Sequence, residues 1–431
     1  MKMRLLTGIV FATLSVVLFG QQAMASDTSS LYTGRALDLG SCPTNYGYGN
    51  YCQKPSQWYL GFWTEAGVYT NSHGSSLQRT GGGNAPHDRF FPGTGNSFLL
   101  GNLQNPKFNM NQMGLFLERK MNTSCGFDWG FKTQMMFGTD AYLTQSHEDF
   151  SFDHNWRSGD YYTSVSDLYV SVGYRKLAMK VGKFASPLSY EHAESPNNFF
   201  YSHSYGFLQS PDTHTGFLLD YRHHCRLSFF GGWTTGSDAG WDNRFDDSAV
   251  LGGFRYKLWD GGNLSYGMQY AKLHGGTYNG ELRYSKMFFD RLGAGENMDA
   301  YYHSVVFTQD LGCRWDYAAE WYLMKTSNYS DALLQSGNGK VPFSRYGIAQ
   351  YLTYQLTCKV ALGLRAEWMR DNSYDADFYA ATFGVNWTPV QCLVVRPEIR
   401  YDWHNGNGTA LFNNNSNREQ LSGGIAAMYK F

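Results

Sequence analysis

From Gln57 to Phe431 the chain repeats one pattern: a block of alternating apolar and polar residues, a short turn, a second such block, then a longer polar loop. Period-two alternation is the signature of strands, whose successive side chains leave opposite faces. Between Cys358 and Arg370, Val360, Leu362, Leu364, Ala366 and Trp368 share one face, and Lys359, Arg365 and Glu367 the other. Phe127, Trp129, Phe131, Met135 and Phe137 likewise oppose Asp128, Lys132 and Gln134. A soluble sandwich can alternate too, but it does not set Trp and Phe opposite a charged face in strand after strand. The blocks begin near Gln57, Asn109, Gly126, Thr163, Leu177, His214, Cys225, Ser248, Asn263, Asp299, Gly312, Arg345, Cys358, Asp377, Gln391 and Glu419. They predict about sixteen strands.

Short turns such as YRK, RHH and WDGG close every second gap, and long loops, including 139–162 and 185–213, fill the others. An even number of antiparallel strands with short turns at one end and long loops at the other is the layout of an outer-membrane barrel. The fold class is therefore all-β: a closed antiparallel transmembrane β-barrel over 57–431, with short periplasmic turns and long outer loops. Closure meets a physical demand, because hydrocarbon leaves no partner for a sheet's edges. About sixteen strands enclose an aqueous channel. Pro397 cannot donate to a ladder and predicts a bulge in the fifteenth strand.

Composition changes the picture in one respect. A mean hydropathy of −0.43 reads as soluble, yet 32 Tyr, 30 Phe and 12 Trp are what aromatic girdles require. A net charge of −1 gives no sign of a nucleic-acid partner. The N-terminus reads MKMR, then LLTGIVFATLSVVLFG, then small residues at Ala23 and Ala25. This apolar run is shorter than the ~20 residues of a spanning helix, so 1–25 is expected to be a cleaved secretion signal. Residues 26–56 form an N-terminal periplasmic segment in which Cys42 and Cys52 are candidates for a disulfide. Cys125, Cys225, Cys313, Cys358 and Cys392 sit at or beside short turns and read as small apolar residues at the periplasmic rim.

The exceptional stretch is Gly182 to Gly216, GKFASPLSYEHAESPNNFFYSHSYGFLQSPDTHTG. It is too long for an ordinary connection and too aromatic for a solvated tail. It predicts that the third outer loop folds back into the lumen. This run, with RPEIRYDW (Arg396 to Trp403), resembles the OmpL-like β-barrel porins of Gram-negative outer membranes. The resemblance implies an outer-membrane location, lipid around the barrel, and passive diffusion of small hydrophilic solutes or ions. It also implies a homotrimer and a last strand, ending at Phe431, that is read by the barrel-insertion machinery.

The candidate constriction residues are Glu191, His192, Glu194, Asn197, Asn198, Tyr201, His203 and Tyr205. The candidate basic pore wall is Arg226, Arg255, Arg345, Arg365, Arg396 and Arg400, all on the polar parity. An arginine facing lipid costs about 2–4 kcal/mol at the midplane, so these are expected inside. By analogy with general porins, Glu191 and Glu194 are expected to set a transverse field against Arg365, Arg396 and Arg400. The plainer reading is that these arginines pair with Glu367, Glu398 and Asp402. Neighbouring strand residues point oppositely, so His223, His224 and Cys225 do not form a metal site, and no cofactor is expected. His203 and Ser204 are adjacent in a loop rather than set across strands, and no G-x-S-x-G or H-E-x-x-H occurs. An enzyme is therefore not expected. The rival function is a surface adhesin or structural barrel with a plugged lumen.

Overall fold

The computed structural model describes residues 58–72, 108–123, 126–146, 151–154, 156–159, 161–241, 247–274, 277–278, 281–285, 290–292, 297–326, 344–372, 375–406, 412 and 417–431. The expected secretion signal, the segment 26–56 with Cys42 and Cys52, and Cys125 lie outside them.

Sixteen long strands make the wall. They are β1 (Trp58–Asn71), β2 (Phe108–Arg119), β3 (Phe127–Gly138), β4 (Tyr161–Tyr174), β5 (Leu177–Ala185), β6 (Thr213–His224), β7 (Leu227–Ser237) and β8 (Ser248–Trp259). They continue as β9 (Gly262–His274), β10 (Asn297–Asp310), β11 (Trp315–Thr326), β12 (Ser344–Thr357), β13 (Val360–Asp371), β14 (Ala376–Trp387), β15 (Leu393–Gly406) and β16 (Glu419–Lys430). Each pairs antiparallel with its neighbours in sequence, and β16 pairs with β1, which closes the ring. Phe62 and Phe431 exchange both backbone hydrogen bonds at 3.0 Å at that seam. A two-residue strand, Arg157–Ser158, adds to the edge of β4.

Which face meets lipid follows from exposure. Phe127 is 64% exposed, Leu364 55% and Ile399 50%, whereas Arg365 is 1% and Arg400 0% exposed. A belt of bare Phe, Leu, Val and Ile around a wall is untenable in water and is what hydrocarbon selects. Aromatic pairs flank the belt: Trp315 with Tyr354 near the turns, and Tyr379 with Trp403 near the long loops.

Two expectations need correction. Pro397 causes no bulge: it faces Ile425 in unbroken register, and its ring projects from the lipid face, so only its missing donor interrupts the β14 side. Among the described residues the register shifts instead at Glu65/Ala66, Gln134/Met135, His214/Gly216, Arg222/His224, Gly262/Asn263 and Gln355/Thr357. Cys225 is disulfide-bonded rather than a free apolar filler, while Cys313, Cys358 and Cys392 are free.

Candidate functional site: a loop latched across the lumen

The segment 186–212 joins β5 to β6, and its neck is closed by Ser186 N–H donating to Asp212 O at 2.8 Å. Pro187, Pro196 and Pro211 keep it from continuing either strand. It forms a single 3₁₀ turn (Ser195–Asn197) and a five-residue helix (Tyr205–Gln209), which Ser204 caps by accepting Phe207 N–H at 3.0 Å. The whole loop lies inside the barrel. Glu191, Glu194, His203 and Tyr205 are buried, and His192, Asn197, Asn198 and Tyr201 are half-buried.

One edge of the loop is bonded to β1–β3. Gln112 donates to Ala193 O and accepts Ser195 N–H. Glu65 accepts Ser195 Oγ–H, Gln134 donates to Glu194 Oε1 at 2.8 Å, and Tyr201 OH donates to Asn111 Oδ1. The other edge is bonded to β11–β15. Tyr190 N–H donates to Glu320, Tyr205 N–H to Glu367 at 2.6 Å, and Tyr205 OH to Asp402 at 2.6 Å. In a ring of sixteen, β3 and β11 stand opposite each other, so the loop bridges the lumen.

The second edge is an alternating chain of charge. Arg365 reaches Glu191 at 2.9 Å and Glu367 at 2.8 Å; Arg400 reaches Glu367 at 3.1 Å and Asp402 at 2.9 Å. Both guanidinium groups also donate to loop carbonyls: Arg365 to Ser202 O at 2.7 Å and Arg400 to His203 O at 2.9 Å. Arg396 pairs with Glu65 and donates to the carbonyls of Ser195, Asn198 and Phe200. Glu398 accepts Tyr201 and Ser202 N–H. Buried charges persist only when paired and hydrogen-bonded, and these are. Glu191 of the loop therefore meets Arg365 of the wall in direct contact, whereas Glu194 is held by Gln134 on the opposite wall.

Apolar contacts seal the same interface. Phe199 and Phe200 pack against Ala318, Ala349 and Tyr351. Gly363 makes room: a Cβ there would lie 2.2 Å from the Phe199 ring.

Of the remaining wall arginines, Arg345 is buried, pairing with Asp371 at 2.6 Å and donating to Gln209 at 3.0 Å. Arg255 pairs with Asp220. Arg226 sits exposed in the turn between β6 and β7, not on the wall. A second inward segment escaped the sequence reading. A 3₁₀ turn (Asp140–Leu143) between β3 and β4 packs its Ala141, Tyr142 and Leu143 with Ala193, Phe207 and Leu208 of the long loop. Farther along, Asp153 pairs with Lys183 at 3.1 Å, both fully buried. Its signal was the mixture of aromatic and acidic residues in HEDFSFDHNW, which resembles an exposed loop in composition.

Two loop carboxylates are shifted in opposite directions. Burial raises the Asp140 pKa to about 6 despite hydrogen bonds from Gln112 and Thr139. Burial also opposes the Glu191 anion, but Arg365, His203 and the Ser204 N–H outweigh it and hold its pKa at about 2. A depressed carboxylate stabilises the latch above its ordinary value of 4.5, and that support is lost as pH falls from there through about 2. Hydrogen exchange should therefore show the Ser204 amide protected at pH 5 and progressively released below pH ~4. An unchanged protection factor down to pH ~2 would remove Glu191 from the latch.

The porin-2 family model described as "Putative beta-barrel porin-2, OmpL-like" matches residues 82–431. No curated protein matches the chain by sequence. Among solved structures, the anion-selective porin from Comamonas acidovorans superposes with a TM-score of 0.52 at 9% identity, covering 88% of this chain and 100% of that one. Pseudomonas putida OprB gives 0.53 at 11% identity, covering 87% and 94%. OmpT of Vibrio cholerae in its trimer form gives 0.51 at 12%, covering 88% and 100%. These similarities establish the sixteen-stranded fold, and the family match establishes kinship: the chain belongs to the OmpL-like β-barrel porins of the outer membrane.

Proposed function

We propose that the protein is a passive diffusion channel for small hydrophilic solutes or ions, with its bore set by segment 186–212. The observation that carries this reading is the loop's attachment to opposite walls, β3 through Glu194 and β11 through Tyr190. A barrel of this size is wide enough for water, and a bridge across it leaves narrow lanes beside the loop. The constriction role of Glu191, His192, Glu194, Asn197, Asn198, Tyr201, His203 and Tyr205 belongs to this proposal. So does the wall role of Arg255, Arg345, Arg365, Arg396 and Arg400. No cofactor and no catalytic role enter it. Assembly as a homotrimer, secretion by a cleaved signal, and insertion through the strand ending at Phe431 complete the reading.

One observation favours the rival, a structural or adhesive barrel with a plugged lumen: Arg365, Arg396 and Arg400 are all at most 2% exposed, so the loop seals that side. Liposome swelling with sugars of graded size separates the two. A channel admits a pentose and slows progressively toward a trisaccharide. A plug admits none of them, and uniform exclusion from well-folded, reconstituted protein would overturn the channel.

A further inference from the structure

The short turns at the periplasmic end carry unequal charge. Three successive ones join β2 to β3, β4 to β5 and β6 to β7. They hold Arg119, Lys120, Arg175, Lys176, Arg222 and Arg226 against Glu118 and Asp128. With histidines counted neutral, that leaves four positive charges in excess. Around the rest of the rim, Lys257, Arg314, Lys359 and Lys430 are matched by Asp260, Asp310, Asp316 and the C-terminal carboxylate. Side chains ahead of β1 do not alter the tally, since Asp27 and Asp38 balance Arg35 and Lys54 after the expected cleavage. The net charge of the rim therefore sits on one arc.

The arc is one surface, because its turns are bonded to one another. Thr123 Oγ–H donates to Arg175 O at 2.6 Å, and Arg175 N–H to Gly126 O at 3.4 Å. Arg222 N–H donates to Lys176 O at 2.8 Å, and Lys176 Nζ to His223 O at 3.0 Å. Lys120, Arg175, Lys176 and Arg226 are exposed. Asp128 is already taken by Arg119 at 3.1 Å and by the Asn122 N–H at 2.8 Å.

Two of the cations are held on the lipid side. Arg119 lies 4.3 Å from the ring centre of Trp129, and Arg175 lies 5.1 Å from that of Tyr174. Both rings are exposed, as are Trp58 and Tyr221 beside them in the lower girdle. Girdle rings sit at headgroup level. The guanidinium groups over them therefore stand level with the phosphates of the periplasmic leaflet. Guanidinium donates paired bonds to phosphate, and clustered basic residues at a membrane surface attract acidic lipid.

We propose that this arc binds anionic phospholipid of the periplasmic leaflet through the headgroup phosphates, so that one sector of the barrel carries an acidic lipid annulus. The arc needs the barrel in its membrane but not conduction, so a barrel that never conducts leaves it standing.

The test is native mass spectrometry of the full-length folded barrel in detergent, titrated separately with phosphatidylglycerol and phosphatidylethanolamine. Wild type retains phosphatidylglycerol in preference. A triple variant, Lys120→Gln with Arg175→Gln and Arg226→Gln, loses about fivefold or more of that preference, the scale of one cation beside an anionic surface. A control triple, Lys257→Gln with Arg314→Gln and Lys359→Gln, removes the same charge from the other turns and keeps the preference. All six side chains are exposed, so both variants should fold, which heat-shifted gel migration checks. An equal loss in the two triples reduces the effect to net charge and overturns the arc. Wild type without a preference overturns it too. Wild type that lacks the preference but cosediments with peptidoglycan through Lys120, Arg175 and Arg226 would assign these residues to the cell wall instead of lipid.

Discussion

Deleting residues 191–205 and rejoining the ends raises single-channel conductance several-fold in planar bilayers. The deleted piece carries almost every bond that ties the loop to the far wall: Glu191 to Arg365, Tyr205 to Glu367 and Asp402, and Phe199 and Phe200 to Ala318 and Ala349. Without them the arginines of β13 and β15 face water with Glu367, Glu398 and Asp402 still beside them, so the wall itself keeps its charge balance. The barrel needs none of the loop, since its ladders close from β1 to β16 through neighbouring strands. The segment containing Asp140–Leu143 remains and loses its packing against Ala193, while Phe207 and Leu208 stay in the chain. Part of the lumen stays occupied, which caps the increase. A correctly folded deletion protein with the wild-type conductance would mean that solutes do not pass beside the loop.

Replacing Arg400 by Met loosens the latch by about 3–5 kcal/mol, the scale for stranding a buried charge. Arg400 is 0% exposed and, among the described residues, it alone links Glu367 to Asp402 through direct ion pairs. Removing it leaves two carboxylates facing each other across Tyr205, whose N–H and OH they share. The loss should fall on local opening of 186–212 and leave global unfolding nearly untouched, because the strand ladders are separate from it. Protection of the Tyr205 amide against hydrogen exchange is the readout. Combining Arg400→Met with Glu367→Gln and Asp402→Asn removes the uncompensated charges and should restore most of the protection. If the triple variant opens as readily as the single one, stranded charge is not the cause. The same geometry changes what reversing Arg365, Arg396 and Arg400 together to Glu would do. It would drive the loop off the wall before it tuned ion preference.

How much of this was legible in the sequence divides along physical lines. Strand positions and faces were, because lipid and water impose opposite demands on alternate residues: Leu364 and Arg365 could only face the ways they do. The inward loop was legible too, since rings such as Phe199, Phe200 and Tyr205 need shelter wherever they lie. Partner choice was not. Glu191 and Arg365 are 174 positions apart, and parity places an arginine inside without saying whether it meets water or a carboxylate. The segment after β3 was missed because its apolar contacts, Ala141 and Leu143, are few and sit among polar residues. Arg226 kept lumen parity on paper but falls in a turn, where alternation has ended. Pro397 shows that a missing donor need not shift register when the ladder on the strand's other side runs unbroken past it.

The central claim, that water-filled lanes run past a latched loop, is tested most directly by single-channel recording of the unaltered protein. The sample should be purified folded barrel that migrates faster unheated than boiled on a denaturing gel. Discrete, long-lived conductance steps are expected in concentrated potassium chloride, smaller than those of the 191–205 deletion. Folded protein that inserts into the bilayer yet gives no steps, while the deletion conducts, would show the lumen to be plugged.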